Sequence, residues 1–283
     1  MALPIHATPS ERIWHYCFII ICVSIFLFLI FPILIIFPLS FNQQPYFSFT
    51  QEMLRLQPEA YTTKWYEEFF NSLNWRGAVK NSFIIAFFST IISTFLGTLA
   101  ALGLSRPDFP FKTTIMGLLI SPMVVPLIIS AAGMFFFYSR IGLQGTHVGV
   151  ILAHAALATP FVVIVVTATL SGFDHSLTRA AASLGSSPAH SFFHITVPLI
   201  IPGVISGALF AFITSFDEVV VVLFVGSYNQ RTIPWQMFSG IREQISPTIM
   251  AVATILITMS VALLIFLELM RRRNERLRGM TPQ

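Results

Sequence analysis

Apolar residues occur along this sequence in long unbroken runs, not in the short alternating segments that build a sheet. A helix needs about 20 such residues to cross a bilayer, and six runs reach that length. Because the runs are continuous, they predict helices and not the strands of a membrane barrel. The predicted spans are residues 17–41, 79–104, 113–138, 148–171, 199–225 and 248–269.

The composition indicates the same fold class. Hydrophobic residues make up 55% of the 283 residues and charged residues 10%, whereas soluble domains have about 25% charged residues. The sequence therefore predicts an all-α integral membrane protein with one transmembrane domain over residues 1–283. The first run is longer than the core of a secretory signal, and residues 41–45 (FNQQP) do not form a small-residue cleavage site, so we interpret it as an uncleaved span.

The basic residues predict an orientation. A net charge of +4 and a pI near 9.3 would suit a nucleic-acid partner, but topology explains the charges more simply and we expect no such partner. The segment 271–278 (RRRNERLR) follows the last span, and basic flanks usually stay in the cytoplasm. With six spans, both termini and the loop at 172–198 are then cytoplasmic, and the segment at 42–78 lies outside.

The cytoplasmic loop at 172–198 predicts two short helices joined by a sharp turn. The run 179–184 (RAAASL) favours a helix, and Gly185 is a natural helix stop. Ser187 followed by Pro188 is a typical helix start. Such a helix-turn-helix is a suitable handle for a partner that moves the spans.

The spacing in this loop resembles the EAA motif of the permease subunits of bacterial ATP-binding cassette (ABC) importers. That motif has Glu-Ala-Ala, three residues, Gly, nine residues and Ile-x-Leu-Pro. Arg179 stands where the family has Glu, and Val197 where it has Leu. The positions that match are Ala180, Ala181, Gly185, Ile195 and Pro198.

The resemblance implies a type I importer permease fold and an assembly in the bacterial inner membrane. It implies a second, homologous permease in a heterodimer, two cytoplasmic ATPase subunits and an external solute-binding protein. ATP and magnesium would be bound by the ATPases, so we expect no cofactor in this chain and no enzyme activity. The sequence agrees, because a phosphate-binding loop needs a glycine before its lysine and none of Lys64, Lys80 and Lys112 follows one.

Two histidines of the loop have a spacing that metal ligands use. His190 and His194 are four residues apart, but a metal site needs at least a third ligand and none is evident. We therefore predict no metal site and no catalytic residue, and we assign these histidines to the partner-facing surface of the loop.

An adjacent pair of carboxylates, Asp217 and Glu218, interrupts the fifth apolar run (AFITSFDEVVVVLFVG, 211–226). A charge near the middle of a bilayer costs about 2.5–3.5 kcal/mol even on lenient scales, so it usually faces a cavity or a bundle interior. Thr214 precedes the pair by three and four residues and shares its helix face, and Phe216 offers a ring for a cation–π contact. We predict that these four residues form a cation site on the transport pathway.

A second interpretation of the pair stays open. The helix could end near Phe216, leaving the acids at the outer interface, where they would terminate the helix or pair with Arg231 or Arg242.

The acidic segment also resembles one branch of the importer family. Residues 215–218 (SFDE) and 233–248 are similar to the spermidine/putrescine permeases, which implies a polyamine substrate. Alternatives within the class are an opine-like amino compound, iron, thiamine or phosphonate. An ion-coupled secondary transporter also uses intramembrane acids but has no need of the EAA spacing.

Overall fold

The computed structural model describes residues 8–106, 108–174, 176–243 and 246–277. Arg278 of the basic tail, and residues 244–245 of the segment 233–248, lie outside the described residues. The helices in chain order are α1 (Pro9–Leu39), α2 (Gln51–Leu54), α3 (Lys64–Asn71), α4 (Leu73–Leu104), α5 (Lys112–Val124), α6 (Leu127–Ile141), α7 (His147–Ser171), α8 (Ser176–Ser183), α9 (Pro188–Ser191), α10 (Val197–Asp217), α11 (Val220–Val225), α12 (Ile233–Glu243) and α13 (Thr248–Leu277).

The chain divides into two compact units, and the first consists of Met1–Ser72 and Gly240–Gln283. Its long helix α1 has 31 residues, and the most apolar window of that helix contains no buried residue. The short helix α3 packs against α13, and Thr248 Oγ1 donates a hydrogen bond to Glu68 Oε2 at 2.8 Å. This unit therefore contains the first and last apolar helices and the polar segment between α1 and α4.

The second unit, Leu73–Ser239, is built around α4, α7 and α10, which pack against one another. Two glycines of α10 make its close approach to α7 possible. A Cβ on Gly203 would collide with Thr169, and one on Gly207 would lie 3.3 Å from Val162 Cα. The two glycines are four residues apart and leave a smooth strip on α10 that allows close helix packing.

The third apolar run does not form the straight span that the sequence predicts. Helices α5 and α6 meet at an angle of 99°. Val125 between them is extended (φ −70°, ψ 133°), because a residue before proline avoids the helical region, and Pro126 has no N–H to continue the helix. Residues 113–138 are therefore a broken span.

The described residues contain four helices that are long and apolar enough to cross a membrane, or up to five if the bent pair α5 and α6 counts as one span. The all-α membrane fold is confirmed, whereas the predicted number of six spans is not. One of the four is the continuous helical stretch Pro188–Asp217, which joins α9 to α10 through a π-helical segment, Phe192–Thr196. The second short helix predicted in the loop is thus the beginning of this long helix.

Candidate functional site

The acidic pair lies at a break in the fifth apolar run. Helix α10 ends at Asp217, Glu218 is extended (φ −73°, ψ 122°), and the chain becomes helical again in α11. The predicted continuous span at 199–225 is therefore two helices. The second interpretation of the sequence was right on this point, since the acids do mark the end of a helix.

Glu218 lies outside the helix that carries Thr214 and Asp217. Its Oε1 accepts a hydrogen bond from the backbone N of Val221 at 3.0 Å, in the first turn of α11. The sequence predicted one polar strip of Thr214, Asp217 and Glu218, and that arrangement is wrong for Glu218. The reason is its extended backbone, which takes it out of the helical register of α10.

Asp217 is exposed and lies on the side of α10 that the bundle leaves uncovered. The buried residues of this helix include Gly203, Gly207, Ala211 and Ser215, which face α7 and α4. The uncovered side carries Leu209, Phe210 and Ile213, which are 50%, 50% and 60% exposed, and Asp217 continues this stripe by one turn. Thr214 next to it is half-buried.

Phe216 belongs to a group of three aromatic rings beside the break. Its ring is 5.3 Å from that of Phe83 on α4, nearly edge to face, and 5.6 Å from that of Phe212, nearly parallel. These contacts fix the ring while leaving it half-buried. An aromatic face at this position can contact a cation.

Arg231, which the sequence offered as a partner for the acids, stacks on two aromatic rings. Its guanidinium carbon lies 4.1 Å from the ring centre of Tyr228 and 4.0 Å from that of Trp235. The other suggested partner, Arg242, has no described side chain. The structure therefore gives Arg231 an aromatic environment in place of an ion pair with Asp217 or Glu218.

A cavity of about 400 Å³ opens beside this arginine. It is at the end of the unit opposite the loop at 172–198, where α4 and α7 begin. Lys80, Arg231 and His147 line it together with asparagines and apolar residues, and no carboxylate is among its lining residues. This cavity therefore suits an anionic group better than a polyamine, and neither Asp217 nor Glu218 lines it.

A buried histidine contacts the last turn of α10, and sequence analysis missed it. His154 of α7 is 1% exposed, and its Nδ1 is 2.9 Å from Ser215 Oγ and 3.1 Å from the Ser215 carbonyl oxygen. The available signal was a lone histidine inside an apolar run, the same kind of signal that singled out Asp217. His154 lies seven residues after the start of α7, which is about 10 Å along the helix axis. The break in contact with His154 is therefore well inside the bundle, away from the end where α7 begins.

The turn between α8 and α9 has the local geometry that its sequence predicts. Helix α8 ends at Ser183, and Gly185, whose φ is +85°, follows two residues later. The N–H of Ser186 bonds to Ala181 O and that of Gly185 to Ala182 O, both at 3.0 Å, which is a Schellman motif. Ser187 Oγ then accepts from the N of His190 at the start of α9.

The motif residues of the loop are mostly accessible. Among the positions matched to the EAA pattern, Arg179, Ala180, Gly185 and Pro198 are exposed, while Ala181 and Ile195 are half-buried. The rings of His190 and His194 stack at 3.9 Å. Among the described residues, no group of three or more potential metal ligands occurs.

A helical membrane bundle with an EAA-spaced helix-turn-helix is typical of one class of protein, the importer permeases. The family model described as "Binding-protein-dependent transport system inner membrane component" matches residues 93–278. The chain belongs to this family and is a multi-pass protein of the inner membrane. The resemblance inferred from the EAA spacing is thereby confirmed.

Relatives over most of the chain have more specific names. The chain is 32% identical to the spermidine/putrescine transport system permease protein PotC of Haemophilus influenzae, covering 88% of this chain and 94% of that one. It is 31% identical to the putrescine transport system permease protein PotI of Escherichia coli K12, covering 75% and 78%. Both are polyamine permeases by name.

A solved structure has the same fold at low sequence identity. The chain superimposes with a TM-score of 0.69 on a chain of a bacterial ABC transporter involved in the import of the acidic polysaccharide alginate, with 15% identity, covering 95% of this chain and 99% of that one. At this identity the likeness establishes the fold and not the substrate.

Proposed function

We propose that this chain is the membrane-spanning permease of an ATP-driven importer that brings polyamines such as spermidine and putrescine into the cell. The observation that supports a polyamine substrate is the exposed carboxylate of Asp217 at the end of α10, next to the break. The relatives of this chain at 31% and 32% identity are polyamine permeases by name.

Two sources of negative charge at the end of α10 favour the binding of a cation there. The last carbonyls of a helix have no intrahelical partners and give its C-terminus a partial negative charge, and Asp217 adds a full one at the same place. Broken membrane helices bind cations in transporters with their C-terminal ends. The half-buried ring of Phe216 supplies an apolar and aromatic surface for the methylene chain and ammonium groups of a polyamine.

The two acids have different parts in this proposal. Glu218 accepts a hydrogen bond from the first turn of α11, where the helix N-terminus is partially positive, so much of its charge is already compensated. Asp217 is exposed and has no such compensation. Asp217 therefore makes the main contact with an ammonium group, and Glu218 mainly shapes the break, with Thr214 as a neutral polar neighbour.

The assembly that we propose follows from which surfaces of the chain are accessible. A second, homologous permease covers the uncovered side of α10, so that Asp217 faces a path between the two. Two ATPase subunits, which hold ATP and magnesium, bind the loop at 172–198 from the cytoplasm. The termini are cytoplasmic, and a solute-binding protein delivers the substrate at the opposite end of the bundle.

Replacement of Asp217 tests the substrate site. In the assembled importer, Asp217→Asn removes one charge and should raise the apparent KM for spermidine by about tenfold, the factor that about 1.4 kcal/mol gives. Uptake of labelled spermidine into vesicles measures this. Asp108→Asn, at an exposed aspartate between α4 and α5, is the matched control and should leave KM unchanged.

Two results would contradict the proposal. An unchanged KM in the Asp217→Asn importer would remove this residue from the pathway. Uptake of an uncharged or anionic solute by the unmodified importer, with no competition from spermidine or putrescine, would remove the polyamine substrate while leaving the importer class intact.

A further inference from the structure

The buried contact between α7 and α10 has a feature that packing does not explain. His154 and Ser215 are 1% and 4% exposed. The imidazole Nδ1 lies 3.1 Å from the Ser215 carbonyl oxygen and 2.9 Å from its hydroxyl. A carbonyl oxygen accepts hydrogen bonds and cannot donate them, so the contact with the carbonyl assigns the imidazole proton to Nδ1.

The Ser215 carbonyl is one that the end of the helix leaves without its usual partner. In a continuous helix it would accept from the N–H of Val219, four residues on. Helix α10 ends at Asp217, and Val219 lies outside it. The Nδ1–H of His154 thus takes the place of that missing backbone donor and caps α10 from a neighbouring helix.

The stability of the fold alone does not explain why position 154 is a histidine. With the proton on Nδ1, Nε2 is an acceptor, and it is buried with no hydrogen-bond partner among the described residues. A buried acceptor without a partner destabilises the fold, and a leucine or phenylalanine would fill similar space without that cost. What the imidazole supplies, and an apolar residue does not, is the bond to Ser215.

We propose that His154 is a positioning residue for transport: its Nδ1–H bond to the Ser215 carbonyl fixes the point where α10 ends, and this holds Asp217 at its place beside the break. Without the bond, the buried Ser215 carbonyl regains a partner if α10 extends so that Val219 N–H reaches it. That extension would draw Glu218 into the helix, away from Val221, and would rearrange the surroundings of Asp217.

The importance of this position for uptake rests on the proposed cation site, so the first experiment measures geometry without any substrate. In an importer whose native cysteines are replaced (Cys17→Ser, Cys22→Ser), Asp217→Cys provides a thiol at the break. Its labelling rate with a water-soluble methanethiosulfonate is then compared between His154 variants. Asparagine places its amide near the position of Nδ1 and keeps a donor there, whereas glutamine, of similar size, reaches towards Nε2, and leucine has no donor.

We expect His154→Leu and His154→Gln to change the labelling rate by about two- to tenfold, the range expected for the loss of one buried hydrogen bond. His154→Asn should stay within about twofold of the parent protein. The glutamine variant keeps the test decisive if the leucine variant does not fold. Equal labelling rates in the parent and the glutamine variant would overturn the proposal, as would a change in the asparagine variant as large as that in the glutamine variant.

A second readout separates positioning from folding and from the substrate assignment. In the importer with native Asp217, His154→Gln should raise the apparent KM for spermidine by about two- to tenfold. The His154→Asn importer should have the same KM as the parent importer. A purely structural role would lower the amount of assembled importer without changing KM, and that result would overturn the proposal. If the labelling rates respond as expected but the unmodified importer carries no polyamine, the positioning role stands and the polyamine assignment falls.

Discussion

Asp217 and Glu218 are neighbours in the chain but occupy different electrostatic surroundings. Asp217 is the last residue of α10 and is exposed. Glu218 is half-buried and bonded to the N–H of Val221. At the scale of single residues, one side chain is available for a substrate and the other is already engaged by the protein.

This difference predicts unequal effects of two Glu218 variants. Glu218→Gln keeps an oxygen that can accept from Val221, so the KM for spermidine should change less than about threefold, against about tenfold for Asp217→Asn. Glu218→Ala loses the acceptor and should destabilise the protein by about 0.5–2 kcal/mol, as the loss of a capping side chain does. Uptake assays and thermal unfolding of the detergent-purified importer measure the two effects. Equal KM changes in Glu218→Gln and Asp217→Asn would contradict the division of roles.

At the scale of elements, backbone breaks decide where the polar groups lie. Pro126 ends the helical register between α5 and α6, and the break after Asp217 separates α10 from α11. In the loop, Gly185 follows α8 in a left-handed conformation, and the chain then continues through α9 into α10. The proposed ATPase-facing turn and the acidic break are thus the two ends of one helical stretch, Pro188–Asp217, along which a movement of the loop can reach the acid.

We therefore expect that replacement of Gly185 weakens the coupling between ATP hydrolysis and uptake. Gly185→Ala puts a side chain at φ +85°, a conformation that costs an ordinary residue about 1–2 kcal/mol, so the turn should relax and ATP hydrolysis should drive less uptake. The measurement is the ratio of spermidine imported to ATP hydrolysed in vesicles. We expect that ratio to fall several-fold, with the KM for spermidine unchanged.

Gly142→Ala is the matched control for this change. Gly142 has φ +73°, and an added Cβ would meet nothing within 4 Å at either glycine. Both variants should therefore lose similar stability. A similar fall in the transport ratio for Gly142→Ala would show that backbone strain, and not the position of the turn, causes the defect.

At the scale of the whole molecule, the chain exposes large apolar surfaces. The uncovered side of α10 carries Ile213 at 60% exposure directly before Asp217. Lipid can cover such a side chain, but an exposed carboxylate on the same stripe is costly in lipid. The arrangement is therefore favourable only when something polar or aqueous faces Asp217.

Assembly with the second permease should immobilise this surface. A nitroxide label at Ile213→Cys, with Cys17 and Cys22 replaced by serine, should be mobile in the chain reconstituted alone and strongly immobilised when both permeases are present. Electron paramagnetic resonance line shapes measure this. Addition of the ATPases without the second permease is the control and should leave the label mobile. Immobilisation by the ATPases alone, or none in the complete assembly, would contradict the proposed interface.

The family and the class of fold could be predicted from the sequence because they depend on local patterns. Unbroken apolar runs require helices in lipid, and Gly185, Ser187 and Pro188 specify a helix stop and start by backbone geometry alone. Asp217 and Glu218 also stood out without a structure, since charges inside an apolar run are rare.

Local pattern could not decide how the broken segments are arranged or which side chains meet. An apolar run has the same sequence pattern whether its helix is straight or bent. The break between α5 and α6 and the extended conformation of Glu218 could therefore be found only from the structure. The uncovered position of Asp217 and the contact of His154 with Ser215, 61 residues apart, depend on how α7 and α10 pack. The sequence by itself determined the helical membrane class, the loop turn and the presence of the acids, because these follow from neighbouring residues. Only the tertiary structure decided which acid is accessible and what holds it there, because both depend on contacts between residues far apart in the chain.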